Sequence, residues 1–132
     1  IYGGETTVTV GEAKGLGGRN QEMGLAAAVE MGRMDGVPAF APVAPQGGRT
    51  GGTLEVCVVA LATDGVDGPT DAAGAVVTSE TARVARERGV DLAGALARHD
   101  SHGALGALGC LIRTGATGTN VNDVAVAMVS GR

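Results

Sequence analysis

Aromatic side chains are almost missing from this sequence, which has one Phe, one Tyr and no Trp among its 132 residues. A core must therefore be filled by Val, Ala, Leu, Ile and Met. Lysine is as scarce, Lys14 being the only one, and the net charge is −4. With neither a basic stripe nor an aromatic platform, nucleic acid is excluded as a partner. No apolar run approaches the ~18–20 residues of a membrane span. Cysteine is limited to Cys57 and Cys110. Both lie in apolar stretches and read as buried free thiols, which is compatible with a reducing, cytoplasmic setting. No signal peptide is visible. The sequence opens at Ile1-Tyr2 without an initiator Met and reads as a fragment.

Glycine, by contrast, occurs 24 times, far above the roughly 7% of average usage. Much of the backbone must be bent or closely packed. Apolar residues make up 44% of the chain, enough for one packed domain of this length.

The alternating β-branched run ETTVTV predicts a strand over Glu5–Val10, with Thr6–Val10 in the sheet. After a glycine-rich turn at 11–18, NQEMGLAAAVEMG predicts a helix from Asn20 to about Gly32, with Met23, Ala27 and Met31 on one face. Residues 34–53 hold three of the four prolines and read as a surface loop or insertion. LEVCVVALAT, residues 54–63, is a continuous apolar run of strand length and predicts a central buried strand. A short strand is expected at 75–78, and a helix at 79–89 capped by Ser79 and stopped by Gly89. Further helices are expected from Asp91 to Arg98 and from Ser101 to Leu108, then a closing strand at 124–129. The interleaving predicts an α/β fold, a mixed sheet with helices packed on it, in a single domain spanning 1–132.

Three polar clusters fall at the ends of these elements. The first runs from Gly15 through Gly17-Gly18-Arg19-Asn20-Gln21-Glu22 and opens directly into a helix. Unpaired N–H groups and the positive dipole end suit an anion there, and Arg19 adds a planar fork for phosphate or carboxylate. A plain glycine turn with a solvated Arg would have the same composition. The dinucleotide fingerprint is absent, because Asn20 stands where its third Gly belongs. The second cluster, at the end of the most apolar strand, carries Asp64, Asp67 and Asp71. Three carboxylates within eight residues suit Mg²⁺, which prefers oxygen ligands; a capped Asp-Gly turn accounts for them equally. The third cluster, Thr114 to Asp123, offers hydroxyls and amides for a polar substrate, or a turn rich in local bonds. His99 and His102 read as surface histidines.

Taken in order, GGETTVTV, GGRNQE, TDGVDGPTDAAG and TGATGTNVND resemble the MOFRL domain of type-II glycerate kinases, a likeness that covers Gly3 to about Val129. The resemblance implies a carboxy-terminal domain that pairs with an absent amino-terminal, nucleotide-binding-like domain, with the active site in the cleft between them. It implies phosphate transfer from ATP, with Mg²⁺, to the 2-hydroxyl of D-glycerate, a small hydroxy acid. It places Glu5, Thr6, Gly18, Asn20, Glu22, Thr119, Asn120 and Asp123 at the substrate or phosphate, and Asp64, Asp67 and Asp71 at the metal. Arg19 is the expected catalytic residue, serving transferred charge with little bearing on stability. Two other classes remain: a domain of an NAD(P)H-dependent hydroxypyruvate reductase, and a noncatalytic domain that closes over another module's substrate. With one lysine and no phosphate-cradling GxxxxGK[ST] loop, residues 1–132 alone are expected to be inactive.

Overall fold

The computed structural model describes residues 1–4, 7–9, 11, 15–34 and 54–131. Among the described residues, five strands and four helices follow in the order β1 (Tyr2–Gly4), α1 (Arg19–Arg33), β2 (Leu54–Ala62), β3 (Gly74–Thr78), α2 (Thr81–Glu87), α3 (Leu92–Ala97), α4 (Ser101–Leu108), β4 (Leu111–Ile112) and β5 (Asp123–Gly131). The strands form one sheet in the order β1-β5-β2-β3-β4, and every pairing among them is antiparallel. The apolar run at 54–62 is central, as its composition predicts. Val56 and Val58 pack toward the helices, so Cys57 and Val59 face the other way; apolar residues on both faces account for a continuous run where a half-exposed strand would alternate.

At the amino-terminal end the expected strand is displaced. Sheet pairing involves Tyr2–Gly4, and the described residues Thr7–Thr9 lie in no strand. Glu5, Thr6 and Val10, like the proline-rich stretch from residue 35 to 53, are outside the described residues. Helix α1 forms where the alanine-rich pattern requires, but its buried face is not the expected Met23–Ala27–Met31 stripe. Gln21, Leu25 and Ala28 are fully buried, and Met31 nearly so, following the i, i+4, i+7 rule. Met23 and Ala27 flank that face, half-buried.

The helices meet the sheet through a core made largely of alanine: Ala28, Ala75, Ala82, Ala85, Ala95 and Ala104, with Leu25, Val77, Leu92 and Leu105. Small side chains demand short distances between backbones. A Cβ at Gly24 would lie 2.9 Å from Cβ of Ala75, and one at Gly32 only 2.6 Å from Cβ of Ala82. The two glycines cost α1 about 1 kcal/mol each relative to alanine and let it sit close to β3 and α2. This is how a core almost without aromatics is filled. Leu25 and Leu105 are the largest fully buried side chains among the described residues, and truncating either to alanine costs about 2–5 kcal/mol.

Local caps set the remaining helices. Asp91 accepts a hydrogen bond from the Gly94 N–H at 2.9 Å and starts α3. Helix α4 ends at Gly109 in the left-handed region, φ 73°, the usual use of glycine past a helix end. Helix α2 differs from expectation: its N-cap is Glu80, without a side-chain cap bond, and Oγ1 of Thr81 accepts from the Thr78 N–H at 2.9 Å. Cys57 is buried, Cys110 is half-buried, and both thiols are free. Burial pushes both thiols above their ordinary range; at Cys110 the Thr81 side chain partly offsets it. Among the described residues no helix is long and apolar enough to cross a membrane.

Candidate functional site

Antiparallel pairing of β2 with β5 sets Ala62 beside Asp123. The loop leaving β2 (63–73) and the loop entering β5 (113–122) therefore emerge at one end of the sheet, and the N-terminus of α1 meets them there. The three polar clusters, distant in sequence, form one hydrogen-bonded patch.

Its centre is Asp67, which is wholly buried. Oδ1 accepts from the Asn20 backbone N–H and from Asn20 Nδ2, both at 3.1 Å. Oδ2 accepts from the Gln21 backbone N–H at 2.8 Å and from Gln21 Nε2 at 3.1 Å. Two N–H groups that a helix start leaves unmade are thus satisfied by a carboxylate from another loop, where the dipole favours negative charge. Gln21 Nε2 also donates to the Thr70 hydroxyl at 2.9 Å, and that hydroxyl donates to the Asp67 carbonyl at 2.8 Å. Gly18, the N-cap of α1, packs directly on this group: a Cβ there would fall 2.3 Å from Cγ of Asp67.

Asn20 joins this cap to the next group. Its Nδ2 donates to Oδ1 of Asp123 at 3.0 Å. Asp123 is 6% exposed and is gripped by Arg19, Nε to Oδ2 at 2.5 Å and Nη2 to Oδ1 at 2.9 Å. This is the bidentate fork that guanidinium makes with carboxylate. The Arg19 side chain keeps 28% of its surface exposed.

The third cluster closes on the second. The Thr117 hydroxyl donates to the Thr63 carbonyl at 2.5 Å, and the Thr117 N–H donates to the Asp64 carbonyl at 3.0 Å. The Thr63 hydroxyl donates to the Asn122 carbonyl at 2.7 Å and accepts from the Val121 N–H at 2.8 Å. Asn120 Nδ2 donates to Oδ2 of Asp64 at 3.3 Å. Thr119 and Asn120 are exposed on this loop, whose turns place Gly115, Gly118 and Asn122 at positive φ.

Several sequence expectations change here. The anion site at the start of α1 is filled by the chain's own Asp67, and Gly18 serves close packing against that residue. Asp64, Asp67 and Asp71 do not converge on a metal. Asp67 is saturated by four N–H donors, Asp64 accepts from the Val66 N–H and Asn120, and Asp71 turns away toward His102 and Arg113. Among the described residues no group of three His, Cys, Asp or Glu is placed to hold a metal ion, so the three aspartates do not fit a Mg²⁺ cage. Asp123 holds Arg19, so Arg19 also bears on stability. Glu5 and Thr6 lie outside the described residues.

The two histidines each pair with a carboxylate. His99 Nδ1 and Oε1 of Glu22 lie 2.6 Å apart, and His102 Nε2 and Oδ1 of Asp71 lie 2.8 Å apart. They tie the α3–α4 junction to the first and second clusters. Their partners are 77 and 31 residues away, so no local pattern betrays the pairs. Hydrogen bonds from His102 and then Arg113 hold the Asp71 carboxyl below its ordinary 3.8. A depressed carboxylate contributes stability that is present above its unfolded value and lost as pH falls through its folded one. An NMR titration of the Asp71 carboxyl carbon is therefore expected to show a midpoint below 3.8, and His102→Ala is expected to raise it.

The model for the MOFRL family matches residues 1–123. The chain belongs to the MOFRL family. A glycerate 2-kinase of Pyrococcus horikoshii is 41% identical over 132 residues, which is 100% of this chain and 26% of that protein. A D-glycerate 2-kinase of Thermotoga maritima is 40% identical over 129 residues, again 26% of its length. In the crystal structure of a Thermotoga maritima glycerate kinase, 26% of the chain superposes on 96% of this one with a TM-score of 0.76 and 38% identity. This MOFRL chain thus spans about a quarter of the length of these relatives.

Proposed function

We propose that this MOFRL chain is the carboxy-terminal domain of a glycerate 2-kinase, and that its polar patch lines the cleft where phosphate passes from ATP to the 2-hydroxyl of D-glycerate. The observation that carries the reading is the convergence of all three clusters beside the partly exposed side chain of Arg19, in a chain similar along its whole length to glycerate 2-kinases. In phosphoryl transfer, catalysis consists largely of positioning and of stabilising charge. Arg19 supplies a cation held by Asp123 at the edge of the patch, its side chain partly exposed. Thr119 and Asn120, on the exposed loop beside it, offer hydroxyl and amide groups to a hydroxy acid. The amino-terminal domain of the same enzyme supplies the nucleotide-binding surface, because this chain has neither a GxxxxGK[ST] loop nor a free helix start at α1. Two free thiols suit a reducing compartment, and we place the enzyme in the cytoplasm.

A reductase is less well supported. A dinucleotide pyrophosphate sits on a helix N-terminus behind a glycine fingerprint; here Asn20 breaks the fingerprint and Asp67 occupies the position. Turnover by the two-domain enzyme separates the readings. Formation of 2-phosphoglycerate from ATP and D-glycerate is expected, residues 1–132 alone are expected to be inert, and NADH oxidation with hydroxypyruvate is expected to be absent. NADH-dependent turnover without phosphate transfer would overturn the kinase reading.

A further inference from the structure

Asp67 has no place among the groups that reach substrate, since it is wholly buried beneath them. It also differs from an ordinary helix cap. A capping side chain normally comes from the N-cap residue itself, whereas Asp67 comes from a loop 47 residues away and takes four donors on two oxygens. Those donors belong to Asn20 and Gln21, the residues that follow Arg19. Asn20 then divides its amide between Asp67 and Asp123, and Asp123 holds the Arg19 fork. An unbroken series of hydrogen bonds, each 2.5–3.1 Å, runs from a buried anion to the half-buried cation.

We infer that Asp67 is a positioning residue for Arg19. It occupies the start of α1 as an internal counterpart of a bound phosphate, fixes the first turn and the Asn20 amide, and through Asn20 and Asp123 fixes the orientation of the guanidinium. The substrate anion is therefore met by the Arg19 side chain and not by the backbone N–H groups of the helix start. The kinetic consequence rests on the kinase reading; the geometric one does not.

The substitution Asp67→Asn keeps the size of the side chain and places an NH₂ among groups that all donate. In the two-domain enzyme, held at a temperature where the variant is folded, kcat is expected to fall about tenfold or more, in line with the cost of misplacing a catalytic group. KM for glycerate and ATP should stay within about twofold, the pattern of an interaction made chiefly in the transition state. In protein labelled with ¹⁵N at arginine, the Arg19 Nε–H resonance, downfield and slow to exchange in its bond to Asp123, is expected to move and exchange faster. Leu105→Ala, which weakens the core without removing any hydrogen bond of this series, should leave both readouts of the folded enzyme unchanged. If Asp67→Asn does not fold, Asn20→Ala breaks the link to Asp123 while sparing the bonds from backbone to Asp67, and is expected to shift the same resonance. An unmoved Arg19 Nε–H in the folded variant overturns the proposal, as does an equal shift in Leu105→Ala. Loss of the kinase reading alone would show as a wild-type enzyme without phosphate transfer, with the resonance still responding to Asp67→Asn.

Discussion

Replacing Arg19 with alanine in the two-domain enzyme is expected to lower turnover by at least about a hundredfold, equivalent to ~2.7 kcal/mol of transition-state stabilisation. Sequence alone also suggests that stability would hardly change, and here the structure alters the expectation. Asp123 is 6% exposed, and removing the guanidinium strips a buried carboxylate of its bidentate donor. That loss costs about 1–3 kcal/mol, toward the lower end because Asn20 still donates to Oδ1 and because the Arg19 side chain is 28% exposed. Arg19→Lys keeps the charge and loses the planar fork, so it should fall between the wild type and alanine in both properties. Steady-state kinetics together with urea unfolding checks the pair of effects. Intact turnover in Arg19→Ala would remove Arg19 from the reaction and leave it a purely structural ion pair.

Gly65→Ala is expected to be the most damaging small substitution in the patch. Gly65 sits at φ +90°, and a Cβ there would lie 1.9 Å from the carbonyl oxygen of Gly115. A left-handed residue with a side chain costs about 1–2 kcal/mol, and forcing a methyl against backbone adds about 1–3 kcal/mol. A total near 3 kcal/mol is a large share of the ~5–15 kcal/mol that holds a domain folded. Gly89 is the control, because its φ of +70° is similar and nothing lies within 4 Å of a Cβ there. Gly89→Ala should cost only about 1–2 kcal/mol. Unfolding midpoints for the two variants separate crowding from backbone strain; equal losses would show that the contact with Gly115 yields freely. The Gly65 substitution should also lower activity, since the displaced loop carries Thr119 and Asn120 and leads into Asp123.

The elements most legible in the sequence were those whose signals are local. The alanine-rich run, the Asp91 cap and the apolar decade at 54–63 located α1, α3 and β2, because periodicity and capping act within a few residues. β1 was displaced because ETTVTV has strand composition, whereas pairing with β5 falls on Tyr2–Gly4, a choice made by a partner far along the chain. At the site, the motifs were found and their roles were partly exchanged. Asp67 and Asp71 are the same residue type four positions apart in one loop, yet one is fully buried against α1 and the other is exposed beside Arg113. Which way a carboxylate points depends on the loop's path, and composition does not encode that path. Glycine is ambiguous for a related reason: Gly18 reads as part of a loop made for a ligand, and its lack of a side chain instead admits Asp67.

The order of the strands sets a timetable for the nascent polypeptide. β5, the last of the described strands in chain order, is inserted between β1 and β2, so β1 lacks this partner and β2 shows an open edge until it arrives. The helices and the β2–β3–β4 portion rest on nearer contacts and can assemble earlier, but long-range pairing bears the entropy of closing nearly the whole chain into a loop. Asp123 is the first residue of β5. The partner that orients Arg19 is therefore delivered by the same late step that closes the sheet, so a chain still being synthesised holds the parts of the patch without its working arrangement.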